Sequence, residues 1–349
     1  MLSLILRTDS VASMAPPRVL RRPSRGPAVR RRSGPGSHAA VLMVLALVAT
    51  VGCSATGAPA DGSASGSVAS SSGTAAPACP VQPLDVTVTV DQWGAVVRHL
   101  AGACAQVTTI VTGATGDPHE YEPTPGDAAA FTRARLVVMN GAHYDSWADK
   151  LLESASDKPE VVDAAAVVGR HEGDNPHLWY SPSAVDEVAA AVTKQLQELL
   201  PTASDYFATQ AQSWAHEYGA VHEAVDGLRA KAAGKPYAAT EPVFDDMAAA
   251  VGLVDATPPG YRQAAANESE PAPGDLAALE ALLRDRRAAV LIVNIQTEGS
   301  LVDQLRTESQ DAGVPVVEVT ETMPADAPSF VAWQQRQLEA LGVTLLGSP

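Results

Sequence analysis

Positive charge is scarce in this sequence. Its 24 lysines and arginines face 40 aspartates and glutamates, a net charge of −16 over 349 residues. The first 40 residues hold eight arginines and one acid, Asp9, so from Cys53 onward 16 basic residues face 39 acidic ones. That balance argues against nucleic acid as a partner, because phosphates demand the opposite sign. It is compatible with a cation as ligand. Cysteine is scarcer still, at three residues. Two of them, Cys79 and Cys104, fall in the folded region, and two thiols alone make a poor zinc site. There is no glycine-rich phosphate loop, so the sequence carries no nucleotide-hydrolysing motif of that kind. There is no HExxH either, so no compact metal motif is present. The apolar run AAVLMVLALVATVGC, residues 39–53, is about 13 residues long and too short to span a membrane comfortably.

That run has a different meaning. A basic stretch, a short apolar stretch and small residues before a cut describe an export signal. The run ends in Val51-Gly52-Cys53 and resembles a bacterial lipobox, with Thr50 where leucine is more usual. The expectation is a signal peptide over residues 1–52 with a long basic n-region and Cys53 as the lipid-bearing first residue. A plain secretory signal is the alternative, and Met14 or a later residue remains open as the start. Residues 54–78, SATGAPADGSASGSVASSSGTAAPA, contain one valine and no larger apolar residue. They cannot form a core and read as a flexible tether. The linker is assigned to residues 53–80. An exported chain lies in oxidising surroundings, which favour pairing of Cys79 with Cys104.

About 270 residues remain, enough for two lobes. DVTVTV at 85–90 alternates as a strand and leads into a helix ending near Gly102. VTTIVTG at 107–113 is a second strand, and GDPHEYEPTPGD follows it directly. DAAAFTRA reads as a helix capped by Asp127, and LVVMNG at 136–141 as a short buried strand. NPHLWYSP at 175–182 is a loop, after which Ser183 opens a helix to Leu200. Asp205 to Ala230 is a long polar helix with sparse apolar positions, suited to bridging two lobes along the surface. KPYAATE, VLIVNIQ and VPVVEVT are strands of a second half, separated by helices. The strand–helix rhythm predicts α/β lobes with parallel-type sheets flanked by helices. We assign the N-terminal lobe to residues 81–202, the linking helix to 203–233 and the C-terminal lobe to 234–349.

Four polar residues share one address, the far end of a strand or the loop beyond it: His119, His177, Glu241 and Glu321. Ligands of parallel sheets bind at that end. The first pair belongs to the first lobe and the second pair to the second, so facing lobes would bring all four into one cleft. Two neutral imidazoles and two carboxylates make a mixed nitrogen and oxygen site for a divalent cation. Ligand type leaves zinc, manganese and ferrous iron open. A lone loop histidine is more often structural or solvated, and spacing alone does not show convergence. Asp117, Glu120 and Glu122 suit turn capping or orientation of His119. His143 is placed near the cleft, and Trp147, Trp179 and Phe244 are placed as packing around it.

GDPHEYEPTPGD, MNGAHYDSWADKLL, NPHLWYSP and TEPVFDDMAAAVGL together resemble the cluster 9 substrate-binding proteins, the zinc and manganese receptors of bacterial ABC transporters. The resemblance runs from about Asp85 to Leu341. It implies two α/β lobes joined by one long rigid helix, with one metal ion buried between them. It places His119 at the first ligand histidine and His177 at the second, with Asn175 where aspartate is usual. Glu241 stands where zinc-type members have histidine and manganese-type members glutamate. Glu321 matches the position of a ligand aspartate, with Glu318 or water as the substitute. Zinc or manganese is the implied cargo, with ferrous iron behind them. The implied partners are a membrane ABC permease and its cytoplasmic ATPase, served by a monomer anchored through Cys53 on the extracytoplasmic face of the cell membrane. Capture without turnover is the reading, so no enzyme is expected. A metal-dependent hydrolase using the same ligands and a surface adhesin are the rivals.

Overall fold

Val86, Val88 and Val90 alternate with Thr87 and Thr89, and all five are buried. A strand covered on both faces belongs in the middle of a parallel sheet, and the structure places it there. The computed structural model describes residues 78–113, 121–297 and 299–347. The expected signal, Cys53 with most of its tether, and His119 with Asp117 and Glu120 lie outside the described residues.

In chain order, β1 (Leu84–Val90), α1 (Asp91–Ala101), β2 (Ala105–Val111), α2 (Pro125–Arg133) and β3 (Leu136–Met139) come first. Then follow α3 (Trp147–Ser154), β4 (Glu160–Asp163), α4 (Ala164–Val167), α5 (Pro182–Leu199) and the long α6 (Ser204–Ala232). The second half contains β5 (Pro236–Ala239), α7 (Asp245–Val251), β6 (Val254–Asp255), α8 (Pro259–Ala266) and α9 (Pro273–Arg284). It closes with β7 (Val290–Asn294), α10 (Ser300–Ala312), β8 (Val316–Val319) and α11 (Phe330–Leu346).

Both sheets are parallel, in the orders β2-β1-β3-β4 and β6-β5-β7-β8. The two orders are the same when each strand is ranked within its own lobe. The direction of winding therefore reverses between β1 and β3, and again between β5 and β7. Crevices at the carboxyl ends of strands open at such reversals. This topology puts Asp91, Gln92, Trp93 and Asn140 at one switch point, and Glu241, Asn294 and Thr297 at the other.

Helix α6 spans 29 residues, about 44 Å at the α-helical rise. Its buried positions are Phe207, Trp214, Tyr218, Val221, Val225, Leu228 and Ala232. The spacing alternates between three and four after Trp214, so one narrow stripe faces inward. That stripe packs on α1 and α5 from the first half and on α7 and α11 from the second. The sparse apolar positions are thus fully used, and the helix joins the two halves.

Cys79 and Cys104 form a disulfide with a Cα–Cα distance of 4.9 Å across 25 residues. The expected pairing holds. It closes a loop that stabilises the fold by about 3 to 4 kcal/mol in the chain-entropy view.

Two helix starts differ from expectation. Helix α2 is capped by Thr124 rather than Asp127. Asp127 is instead the third helical residue and closes a capping box: its carboxylate accepts from Thr124 N at 2.7 Å, while Thr124 Oγ1 accepts from Asp127 N. Helix α5 is capped by Ser181, with Pro182 at its first position. Proline lacks the N–H that this position leaves unused, so the helix begins before Ser183.

Candidate functional site

The first wall of the site is built where β3 ends. Gly141, Ala142 and His143 all take positive φ, at 74°, 48° and 69°. A Cβ at Gly141 would lie 2.1 Å from Asp163 Oδ1, so only glycine fits. The turn brings Asp145 back beneath the strand, where its carboxylate accepts from Asn140 N at 2.7 Å and Gly141 N at 2.9 Å. Asp145 is fully buried. Burial pushes its carboxyl up to about 6, against hydrogen bonds from Thr89, Asn140 and Gly141.

The raised value has a consequence for stability. Between its ordinary 3.8 and about 6, the native state holds a proton that the unfolded chain has released. Stability from this group is therefore fully present below pH 3.8 and falls as pH rises to about 6, by at most about 3 kcal/mol. Asp145→Asn is expected to flatten that slope. Urea unfolding of both proteins at several pH values from 4 to 7 checks it, and parallel curves would refute it.

His177 sits on the loop before α5 and is 6% exposed. Its loop is held from below. Trp93 Nε1 donates to Asn140 Oδ1 at 2.8 Å, and Asn140 Nδ2 donates to Pro176 O at 2.9 Å. Asn175 Oδ1 lies 3.1 Å from His177 N and 2.6 Å from His177 Nδ1. Asn175 Nδ2 donates to Pro242 O at 2.8 Å. A backbone N–H can only donate and a carbonyl can only accept, so these two contacts fix which way the amide points. Nδ1 then donates, and in the neutral ring Nε2 keeps its lone pair. The ring packs edge-on against Trp179 and Tyr144, with centroids 5.4 and 6.0 Å away.

Glu321 faces that lone pair from the far lobe, beyond β8. Its Oε1 lies 3.7 Å from His177 Nε2. Tyr144, fully buried, donates its hydroxyl to the same Oε1 at 2.7 Å. Burial raises the phenol well above its usual range, and the Glu321 charge adds to the effect, so Tyr144 stays protonated. Gln92 Nε2 donates to Glu321 O at 3.1 Å. Asp91 supports the same loop by accepting from Gly113 N and Met323 N, and burial raises its carboxyl as well.

Glu241 stands two residues past β5, at the start of a short 3-10 turn, Pro242–Phe244. Its Oε2 accepts from Asn294 Nδ2 at 2.9 Å and its Oε1 from the Thr297 hydroxyl at 2.6 Å. Asn294 is 2% exposed. Two neutral donors thus hold a half-buried carboxylate in place without neutralising its charge.

Of the four sequence candidates, the structure places His177 and Glu321 side by side. It joins the His177 loop to Glu241's neighbour Pro242 through Asn175. His119 lies outside the described residues. Among the described residues, no group of three or more histidines, cysteines, aspartates or glutamates is gathered closely enough to hold a metal ion. His143 turns to solvent beside Glu172, with side chains 68% and 83% exposed. Glu318 pairs with Arg306 on the surface. Trp179 packs on the site, Trp147 lies against Tyr121 and Phe131, and Phe244 against Tyr180.

Sequence reasoning missed Gln92, Tyr144, Asn175, Asn294 and Thr297 as site residues. The signal was present for Gln92, Asn294 and Thr297, which share the strand-end address of the acids. Being uncharged, these three lack the ionisable group that marks a metal ligand in a sequence.

Comparison with known proteins adds an independent observation. Residues 86–342 match the family described as zinc-uptake complex component A, periplasmic. The chain is 31% identical over 133 residues to the iron-binding protein YfeA of Yersinia pestis, covering 36% of this chain and 42% of the relative. It is 27% identical over 190 residues to the manganese-binding lipoprotein MntA of Halalkalibacterium halodurans, covering 52% and 56%. The chain thus spans about half the length of these curated relatives. The solved structure of the periplasmic zinc-binding protein TroA from Treponema pallidum shares the fold, with a TM-score of 0.64 at 20% identity, covering 76% of this chain and 99% of that one.

Proposed function

We propose that this chain, which belongs to the cluster 9 family of metal-binding components of ABC transporters, captures one divalent cation outside the cytoplasm and surrenders it to a membrane permease. The observation that carries this reading is the pair His177 Nε2 and Glu321 Oε1, 3.7 Å apart. Asn175 Oδ1 faces Nδ1 at 2.6 Å, so the neutral ring turns an Nε2 lone pair toward a carboxylate oxygen in a largely buried place. A divalent cation between them would satisfy both. His119 and Glu241 complete the proposed set, giving two imidazoles and two carboxylates.

Zinc and manganese are the proposed cargo, since ligand type alone selects poorly between them. Relatives that bind iron, manganese and zinc support that breadth. Asn294 and Thr297 hold Glu241 ready, which lowers the cost of ordering it around an ion. The acidic chain draws cations toward the cleft. Release needs the permease to loosen the Glu321 loop, and a separate cytoplasmic ATPase supplies the work. We also place the protein on the membrane surface as a monomer anchored through Cys53.

The experiment is metal titration of the purified metal-free chain, with zinc and manganese competing. One tightly held equivalent is expected. A folded chain that binds neither ion stoichiometrically would overturn the reading.

A further inference from the structure

We infer that Asn175 is a positioning residue that joins the two lobes at the metal site, fixing the His177 ring and tying its loop to the turn that carries Glu241. The inference rests on the proposed function for its purpose, and on three contacts for its substance. Asn175 Oδ1 accepts from the His177 backbone N–H at 3.1 Å and from Nδ1 at 2.6 Å. Asn175 Nδ2 donates to Pro242 O at 2.8 Å.

Only an amide of this length can make that combination. An aspartate would accept both bonds from His177, but it has no hydrogen for the Pro242 carbonyl. Two acceptors would then face each other at hydrogen-bond distance. An alanine would leave the ring free to exchange tautomers, and the proton would spend part of its time on Nε2, where the ion must bind.

The far end of the tie is stiff. Pro242 has a fixed φ, and Glu241 before it is extended at φ −151° and ψ 157°, as residues before proline prefer. Holding the Pro242 carbonyl therefore holds the backbone from which the Glu241 side chain springs. The near end is stiff too, because Asn140 Nδ2 anchors Pro176 O from below at 2.9 Å.

A second bond joins the same two segments. Arg170 Nη2 reaches both carboxylate oxygens of Asp246 at 3.1 Å. That ion pair keeps the segments adjacent when the amide is altered, so Asn175 variants should fold. What the amide adds is register: which ring nitrogen faces Glu321, and where Glu241 stands relative to it.

The test compares the full chain with N175A and N175D. In the metal-free proteins, nitrogen-15 NMR reads the His177 tautomer and hydrogen exchange reads the backbone around residues 241–244. Wild type should show Nδ1–H alone. N175A should show mixed tautomers and about a 10- to 100-fold loss of zinc affinity, the usual effect of losing a ligand's outer partner. N175D should restore the tautomer, yet both variants should exchange around residues 241–244 about fivefold faster, the equivalent of one net hydrogen bond. An unchanged tautomer in N175A would overturn the positioning role. Unchanged exchange in N175D would overturn the tie between lobes, and N175D alone decides that point if N175A does not fold. A wild type that binds no metal would refute the proposed function, while the tautomer and exchange data would still decide the role of Asn175.

Discussion

Glu321→Gln is expected to leave the fold intact and abolish tight cation binding. The glutamine oxygen can still accept the Tyr144 hydroxyl, which now reaches Glu321 Oε1 at 2.7 Å. What is lost is the negative charge opposite His177 Nε2. Removing a group that merely orients a ligand costs about 10- to 100-fold in affinity, so removing a ligand's charge should cost more than about 100-fold. Glu321→Ala is the less clean variant. It deletes the carboxylate that accepts from a fully buried phenol, and a hydrogen bond to a charged group contributes about 1.5 to 3 kcal/mol. His177→Ala should match Glu321→Gln in affinity.

Two measurements check this. Competition with a chromophoric chelator gives affinity directly. Unfolding with and without ion gives an independent reading, because a ligand at a thousand times its Kd adds about 4 kcal/mol to the native state. Wild type should show that gain, and neither variant should. A Glu321→Gln protein with wild-type affinity would remove Glu321 from the proposed ligand set.

Trp93→Ala is expected to have the largest effect on stability. Trp93 is wholly buried at the start of α1, and truncating such a side chain costs about 3 to 5 kcal/mol. Its Nε1–H also donates to Asn140 Oδ1 at 2.8 Å. Losing that donor leaves a buried acceptor unpaired, about 1 to 3 kcal/mol more. The sum approaches the whole stability of an ordinary domain, about 5 to 15 kcal/mol. Trp93→Phe separates the two parts, since it keeps most of the volume and removes only the donor. It should cost about 1 to 3 kcal/mol. It should also weaken metal binding, because Asn140 holds Pro176 O beside His177. Urea unfolding of both variants decides the matter. A Trp93→Phe protein as stable as wild type would show that the indole hydrogen bond contributes nothing.

Much of the fold was legible because its causes are local. The alternation in DVTVTV, the apolar run VLIVN and the glycine after LVDQLRTESQDA all state their structure within a few residues. β1, β7 and α10 appear where those patterns lie. The strands EVVD and VD, β4 and β6, were not read from the sequence. They are four and two residues long and lie at sheet edges, where too few residues are covered to impress a pattern. Helices α3 and α8, eight residues each, escaped for a similar reason. The early starts of α2 and α5 were missed because proline at the first helical position reads as a loop when scanned alone.

For the site, the sequence by itself determined the address. Glu241 and Glu321 lie two residues past β5 and β8, where a parallel sheet directs its ligands whatever the loop sequences are, whereas His177 follows α4 and meets Glu321 only through its loop. The pairing of Cys79 with Cys104 was legible too, since these are the two cysteines that follow Cys53 in the sequence. Only the tertiary structure decided which groups touch. Tyr144 meets Glu321 across 177 residues of chain, and Asn175 meets Pro242 across 67. No local pattern encodes such a pairing, because it depends on how two sheets of the same strand order face each other along α6. The state of the His177 ring was decided there as well. An amide from its own loop, oriented by a carbonyl from the other lobe, turns its oxygen to Nδ1, which favours the Nδ1–H tautomer of the neutral ring.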